Sequence, residues 1–219
     1  MRLFRLSERA VLVRGLADRV PAALAEEIQR QGWEELEEAV AAYESVALYF
    51  RSAMSDLESL RRRLDRVEAT QASIGRVWRI PVCYELGPDL EAAAARLGLS
   101  VADVAAMHAG TEYRCFAVGF SAGFPYLGYL PDELCGLPRL ESPRPRVPAG
   151  SVGVTGRQTC IYPSETPGGW WLIGRTPLQV ASLQLERFPI RPGDRVRFVP
   201  IQLEQFDAML GRPLWEQST

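Results

Sequence analysis

GFSAGFPYLG (119–128), PRPRVPAGSVGVTGRQTCIYP (143–163) and TPGGWWLIGRTP (166–177) are the segments on which the reading of this chain turns. Gly and Pro recur every few residues between short apolar runs. That punctuation suits strands joined by tight turns, because Gly reaches positive φ without steric cost while Pro fixes φ and removes an N–H donor. Rings and arginines are set into the turns, and exposed N–H groups, aromatic faces and guanidinium forks are what a small anionic ligand needs. Around these segments, short strands are expected at 113–120, 151–154, 159–162, 170–174 and 195–200, spaced by turns as in a barrel or sandwich. Helical patterning is absent from Thr111 until about Gln205.

Upstream the pattern changes. Two short helices are expected at 89–97 and 100–109, the second opened by Ser100 with Asp103 three residues on, a capping signature. His108 falls at its C-terminal end, where a cation is favoured by the helix dipole. RVWRIPVCY (76–84) reads as a strand, edge-like or near a boundary because Pro81 lies inside it. Before it come a hairpin (2–7, 10–14), an amphipathic helix over 18–31 with Asp18 as cap and Pro21 in the first turn, and two strands around 41–45. A helix over 55–69 follows, with Leu57, Leu60, Leu64 and Val67 on one face and Arg61 to Arg63 on a solvated one. The order ββαββαβ predicts a small α/β sandwich of ferredoxin-like type. The expected class is therefore α+β, with an N-terminal domain over 1–84 and a β-barrel domain with two leading helices over 85–219.

Composition removes several functions. At 219 residues and 47% hydrophobic content the chain can bury cores without staples. A formal net charge of −2 argues against nucleic acid or an anionic membrane surface as partner. No apolar run approaches the roughly 20 residues of a membrane span, and MRLFRLSERA has no signal-peptide block, so a cytoplasmic protein is expected. The four cysteines show no CxxC spacing and there is one histidine, a poor basis for a zinc site; free thiols and no metal are expected. All basic residues are arginine, which excludes a Schiff-base or P-loop lysine. There is no GxSxG elbow, and GFSAGFPYLG leads into turn and strand, unlike a dinucleotide fingerprint.

Each candidate residue has a bland reading beside the functional one. His108, the one side chain whose ordinary pKa lies near neutrality, is a candidate general base or substrate ligand, or else a packed ring. Arg144, Arg146 and Arg175 are candidates to clamp a carboxylate or phosphate bidentately, or else to tie loop carbonyls together. Phe124, Tyr126 and Trp170 line a pocket or fill the core. Ser151 and Gln158 are candidate polar contacts.

PVCY (81–84), LSVADVAAMH (99–108), YRCFAVGFSAGFPYLGYL (113–130), Pro138-Arg139 and the two motifs at 143–163 and 167–177, in this order and spacing, resemble the 5-oxoprolinase B-subunit family, also known as allophanate hydrolase subunit 1 or kinase A inhibitor-like proteins. The resemblance implies a small α/β domain followed by a cyclophilin-like β-barrel. It implies one component of an ATP-dependent complex that hydrolyses 5-oxoproline to glutamate with A-type and C-type partner subunits, ATP being used at the level of the complex. Its other implications are a binding protein that inhibits a sensor histidine kinase, or a component related to urea carboxylase and allophanate hydrolase. His108 matches the family pattern, as do Phe124, Tyr126, Arg144, Arg146, Ser151, Gln158, Tyr162, Trp170 and Arg175, the last nine as expected substrate contacts. Ala122 departs from the usual proline, Cys160 from the usual glycine, and LQVAS follows GRTP where LFD is common. Cys160 is accordingly given no catalytic role. The arginines and aromatics are expected to converge with His108 on one face of the barrel.

Overall fold

The computed structural model describes residues 1–16, 19–68 and 75–217. The chain divides into two compact units, Met1–Gly75 and Arg76–Thr219.

In the first unit, β1 (Arg2–Ser7), β2 (Ala10–Arg14), β3 (Leu36–Ala42) and β4 (Ser45–Phe50) form one antiparallel sheet in the order β1-β2-β4-β3. Helices α1 (Pro21–Arg30) and α2 (Leu57–Asp65) cover one face of it. Alternation in the strands aims Val11, Val13, Val46, Leu48 and Phe50 at Leu24, Ile28, Leu60 and Leu64. Each such side chain contributes about 1.5–3 kcal/mol on full burial. Taken as a ring, ββαββα is the βαββαβ ferredoxin-like order entered at its second strand, and the same permutation converts the ferredoxin-like strand order into the one found here. Helix α1 begins at Pro21 with Val20 as N-cap and no capping side chain. The cap expected at Asp18 lies outside the described residues, as does Ala69 at the expected end of α2. That helix is capped by Asp56, whose carboxylate accepts from the backbone N–H groups of Glu58 and Ser59.

The second unit contains β5 (Val77–Val82), α3 (Leu90–Leu97), α4 (Val101–Gly110), β6 (Glu112–Val118), β7 (Pro125–Gly128), β8 (Arg144–Val147), β9 (Ser151–Thr155), β10 (Gln158–Ile161), β11 (Thr166–Gly168), β12 (Trp171–Arg175), β13 (Arg195–Pro200) and α5 (Leu203–Met209). Seven strands pair in the order β12-β9-β10-β7-β6-β13-β5. The two ends of that sheet then meet: Cys83 and Arg175 exchange backbone hydrogen bonds of 2.9 and 3.0 Å, which closes the sheet into a barrel. Closure needs glycine on both sides. A Cβ on Gly87 would lie 2.2 Å from the Ile173 carbonyl carbon, and one on Gly174 would lie 2.7 Å from Val82 Cγ1. Inside sit Ile80, Val82, Leu127, Ile161, Ile173 and Phe198, with α3 and α4 packed on the same core. β8 and β11 form a separate two-stranded ribbon.

One boundary is corrected. The strand at 77–82, expected to belong to an N-terminal domain ending at 84, is instead the parallel partner of β13 in the barrel, which places the division at 75/76. Pro81 is tolerated because β5 meets β12 only at the Cys83–Arg175 bridge beyond it, so no partner strand needs an N–H from position 81 on that side. Among the described residues no helix is long and apolar enough to cross a membrane.

Candidate functional site

Phe124 is the hub of a second, smaller aromatic cluster on the barrel. Its ring meets Tyr126 at 5.0 Å, Tyr162 at 5.1 Å, Phe120 at 5.3 Å and Trp170 at 5.9 Å between centroids, all edge-to-face. Edge-to-face contacts of this kind add about 0.5–1.5 kcal/mol each beyond area burial. The turn before β7 places the hub. Phe124 N–H donates to Ser121 O at 3.1 Å, Gly119 N–H donates to Phe124 O at 3.0 Å, and Gly123 between them sits at φ +78°, which glycine adopts without strain.

These rings are one wall of a cleft of about 250 Å3, whose other lining comes from Arg139, Leu140, Pro143, Pro167, Gly168 and Gly169. Glycine at 168 is a packing requirement, because a Cβ there would lie 2.4 Å from the Tyr162 hydroxyl oxygen. Trp170 is held from behind. Arg144 donates to the Trp170 carbonyl at 3.4 Å and forms an ion pair with Asp89, whose other oxygen accepts from Leu172 N–H at 2.7 Å. Burial raises the pKa of Tyr126 and Tyr162, with the Arg139 guanidinium pulling both back, so the two hydroxyls stay protonated at neutral pH.

Among the described residues, Arg139 is the one charged member of the lining. Its backbone is pinned on both sides: Trp171 Nε1–H donates to Pro138 O at 2.7 Å and Leu140 N–H donates to Gly169 O at 2.8 Å. Its guanidinium makes no ion pair or hydrogen bond with any described residue, and the residue is exposed.

His108 is elsewhere. It is fully buried in the main barrel core, stacked on Phe198 at 4.5 Å. Thr159 Oγ1 donates to Gly153 O at 3.1 Å, so it accepts from His108 Nε2–H at 2.9 Å, and His108 Nδ1 accepts from the Tyr84 hydroxyl at 2.7 Å. Both ring nitrogens are thus satisfied in one neutral tautomer, and burial pulls the pKa down to about 3. A group with no solvent access and no free nitrogen is not placed to serve as a general base, and the catalytic expectation for His108 is corrected to a core role.

The remaining candidates also stand outside the cleft. Arg146 is exposed and lies 3.8 Å from Glu165. Arg175 Nε donates to Ala149 O at 3.0 Å, tying a loop to the end of the barrel-closing strand. Ser151 is buried at the start of β9, and Gln158 faces Thr155 and Gly128 across the sheet. The expected convergence therefore holds for Phe124, Tyr126, Tyr162 and Trp170, which meet, and fails for His108, Arg144, Arg146, Arg175, Ser151 and Gln158. The sequence does not single out Phe120 or Arg139, and Gly168 and Gly169 match the family pattern but read there mainly as turn residues. Arg139 stands within a motif, but nothing in the sequence separates it from arginines that tie loops together.

The carboxyltransferase domain family, subdomain C and D, matches residues 1–188. The B subunit of 5-oxoprolinase from Escherichia coli O157:H7 is 47% identical over 151 residues, 68% of this chain and 68% of that protein. The protein of the same name from Bacillus subtilis (strain 168) is 44% identical over 163 residues, 73% of this chain and 66% of that protein. The crystal structure of TTHA0988 superposes with a TM-score of 0.79 at 41% identity, covering 89% of this chain and 40% of that one. The chain thus spans about two thirds of the length of these relatives and less than half of TTHA0988.

Proposed function

Because the chain belongs to the carboxyltransferase subdomain C and D family, and within it to the 5-oxoprolinase B subunits, we propose that it is one component of an assembly that opens the lactam of 5-oxoproline to give glutamate at the expense of ATP. The observation that carries this reading is the cleft. Its volume and aromatic walls suit a small flat ring, and stacking rings exclude the water that would compete for a polar substrate. A lactam carbonyl is a weak electrophile, so activation of its oxygen by phosphoryl transfer gives the coupling to ATP a chemical purpose.

This chain's part in that reaction is to bind and orient the ring. A nucleoside triphosphate with its divalent cation needs several positive groups and carboxylate ligands, whereas the described cleft lining supplies one guanidinium and no carboxylate. ATP handling is accordingly placed outside this cleft, and the isolated chain is expected to be inactive. Coexpression with both partners, followed by measurement of 5-oxoproline-dependent ATP hydrolysis and glutamate formation, tests the reading. Activity that needs all three components is the expected result; none from the reconstituted assembly overturns it.

A further inference from the structure

The cleft shows which part of a ligand goes where. Most of its lining is aromatic rings, prolines and glycines, which offer dispersion and quadrupole contacts and no charge. Against this background stands the Arg139 guanidinium, exposed, without an ion-pair or hydrogen-bond partner among the described residues, on a backbone fixed by Trp171 and Gly169. Of the other arginines near the ribbon, Arg144 is engaged by Asp89 and Trp170 and Arg175 by Ala149, while Arg146, outside the cleft lining, lies 3.8 Å from Glu165. An arginine kept free at a pinned position beside stacked rings is a fork waiting for a planar anion, which it binds bidentately.

We propose that Arg139 is the carboxylate anchor of the cleft, holding the anionic group of a cyclic amide acid while the exposed Phe120 and the half-buried Tyr126 meet the ring, backed by the buried Phe124 and Trp170. This rests on the proposed function and deepens it by assigning the class of substrate selected: a flat cyclic amide bearing a carboxylate next to the ring, in preference to the neutral lactam of the same size. With the carboxylate fixed at Arg139, the amide end of the ring is directed away from the one charged group of the described lining, toward whatever supplies the activating chemistry. Arg139 is in this account a binding and specificity residue and takes no part in bond making.

The test uses the assembled complex of this chain with its A-type and C-type partners. Binding of 5-oxoproline and of 2-pyrrolidinone is measured by equilibrium dialysis, and turnover is measured separately. Arg139→Gln should weaken 5-oxoproline binding and raise its KM by roughly 10- to 100-fold, the range for losing a charge-assisted pair, while 2-pyrrolidinone binding stays the same. Arg139→Lys should fall between the two, because it keeps the charge and loses the fork. Unchanged 5-oxoproline affinity in Arg139→Gln, or an equal loss for both ligands, overturns the anchor while leaving the function of the assembly standing. If the wild-type assembly binds 5-oxoproline without turning it over, the functional reading fails and the binding comparison still decides the anchor. If the wild type does not bind it, both fall.

Discussion

The barrel carries two aromatic clusters that look alike in the sequence and differ in one physical respect. Around His108, Tyr84, Tyr113 and Phe198 close on a polar group whose every hydrogen-bonding atom is paired, including the His108 carbonyl, which accepts from the Tyr113 hydroxyl at 3.0 Å. Around Phe124, the rings leave a cleft open, with a cation at its edge that has no ion-pair or hydrogen-bond partner among the described residues. A satisfied polar group in a sealed core serves structure, since its hydrogen bonds only repay its own desolvation. A solvent-exposed one beside an open apolar wall can exchange water for the polar group of a ligand.

The sealed cluster gives the largest expected effect. His108→Ala strands the Tyr84 hydroxyl and leaves a cavity beneath Phe198, and should cost about 3–5 kcal/mol in urea unfolding. Ligand affinity in the surviving folded protein should not change; lost affinity at unchanged stability would break the distinction between the clusters. The same residue gives a pH dependence. Its folded pKa of about 3 lies below the ordinary 6.5, so between those values the unfolded chain holds a proton that the folded chain does not. Stability from this group is complete above pH 6.5 and declines as pH falls toward 3, by about 1.4 kcal/mol per pH unit across the window. Removing the ionisable ring, as in His108→Gln, should flatten that part of the stability profile.

The open cluster is broken more gently through its backbone. In Gly168→Ala the new methyl lies 2.4 Å from the Tyr162 hydroxyl oxygen and 2.8 Å from Cε1, so the ring must move or the ribbon must lift. A cost of about 1–3 kcal/mol is expected, together with weaker 5-oxoproline binding in the assembled complex. Gly110→Ala is the control: its Cβ meets nothing within 4 Å and its φ is not positive, so stability should stay level or rise by up to about 1 kcal/mol. Equal behaviour of the two variants would show that Tyr162 is not pressed by the ribbon.

What can be read from the sequence follows the range of the forces involved. The hairpin at the start, the cap at Ser100 and the alternation of strand pairs and helices in the small sandwich are written in neighbouring residues, whereas its permuted strand order is not. Membership of β5 in the barrel is not, because RVWRIPVC looks the same beside β4 as beside β13, and a parallel pairing with Arg195–Pro200 is settled by the whole barrel closing. Strands β7, β8 and β11 are hidden for a related reason: each is three or four residues long inside Gly/Pro punctuation that reads as turn. For the site, the aromatics at 124, 126, 162 and 170 are legible as members of the Gly/Pro-punctuated motifs, while their meeting around Phe124 is settled by the pairing of β10 with β7 and β9. Which arginine is free is out of reach, because it depends on where Asp89, Glu165 and Ala149 end up in space.

Arg144 and Arg146, two residues apart in β8, turn that last point into the smallest and most discriminating prediction. Arg144 has 29% of its side chain exposed, pairs with a mostly buried Asp89 and steadies Trp170, so its removal disturbs the cleft indirectly. Arg146 has 81% exposed and reaches Glu165 only at 3.8 Å, a geometry in which solvent screening and side-chain entropy cancel most of the Coulomb gain. Arg146→Ala should therefore change stability by less than about 0.5 kcal/mol and leave 5-oxoproline affinity in the assembled complex unaltered. A marked loss of affinity would mean that the ligand extends along the ribbon past the aromatic wall. The anion would then have to be placed at the far end of β8, and the contrast between one free arginine and several structural ones would no longer mark the site.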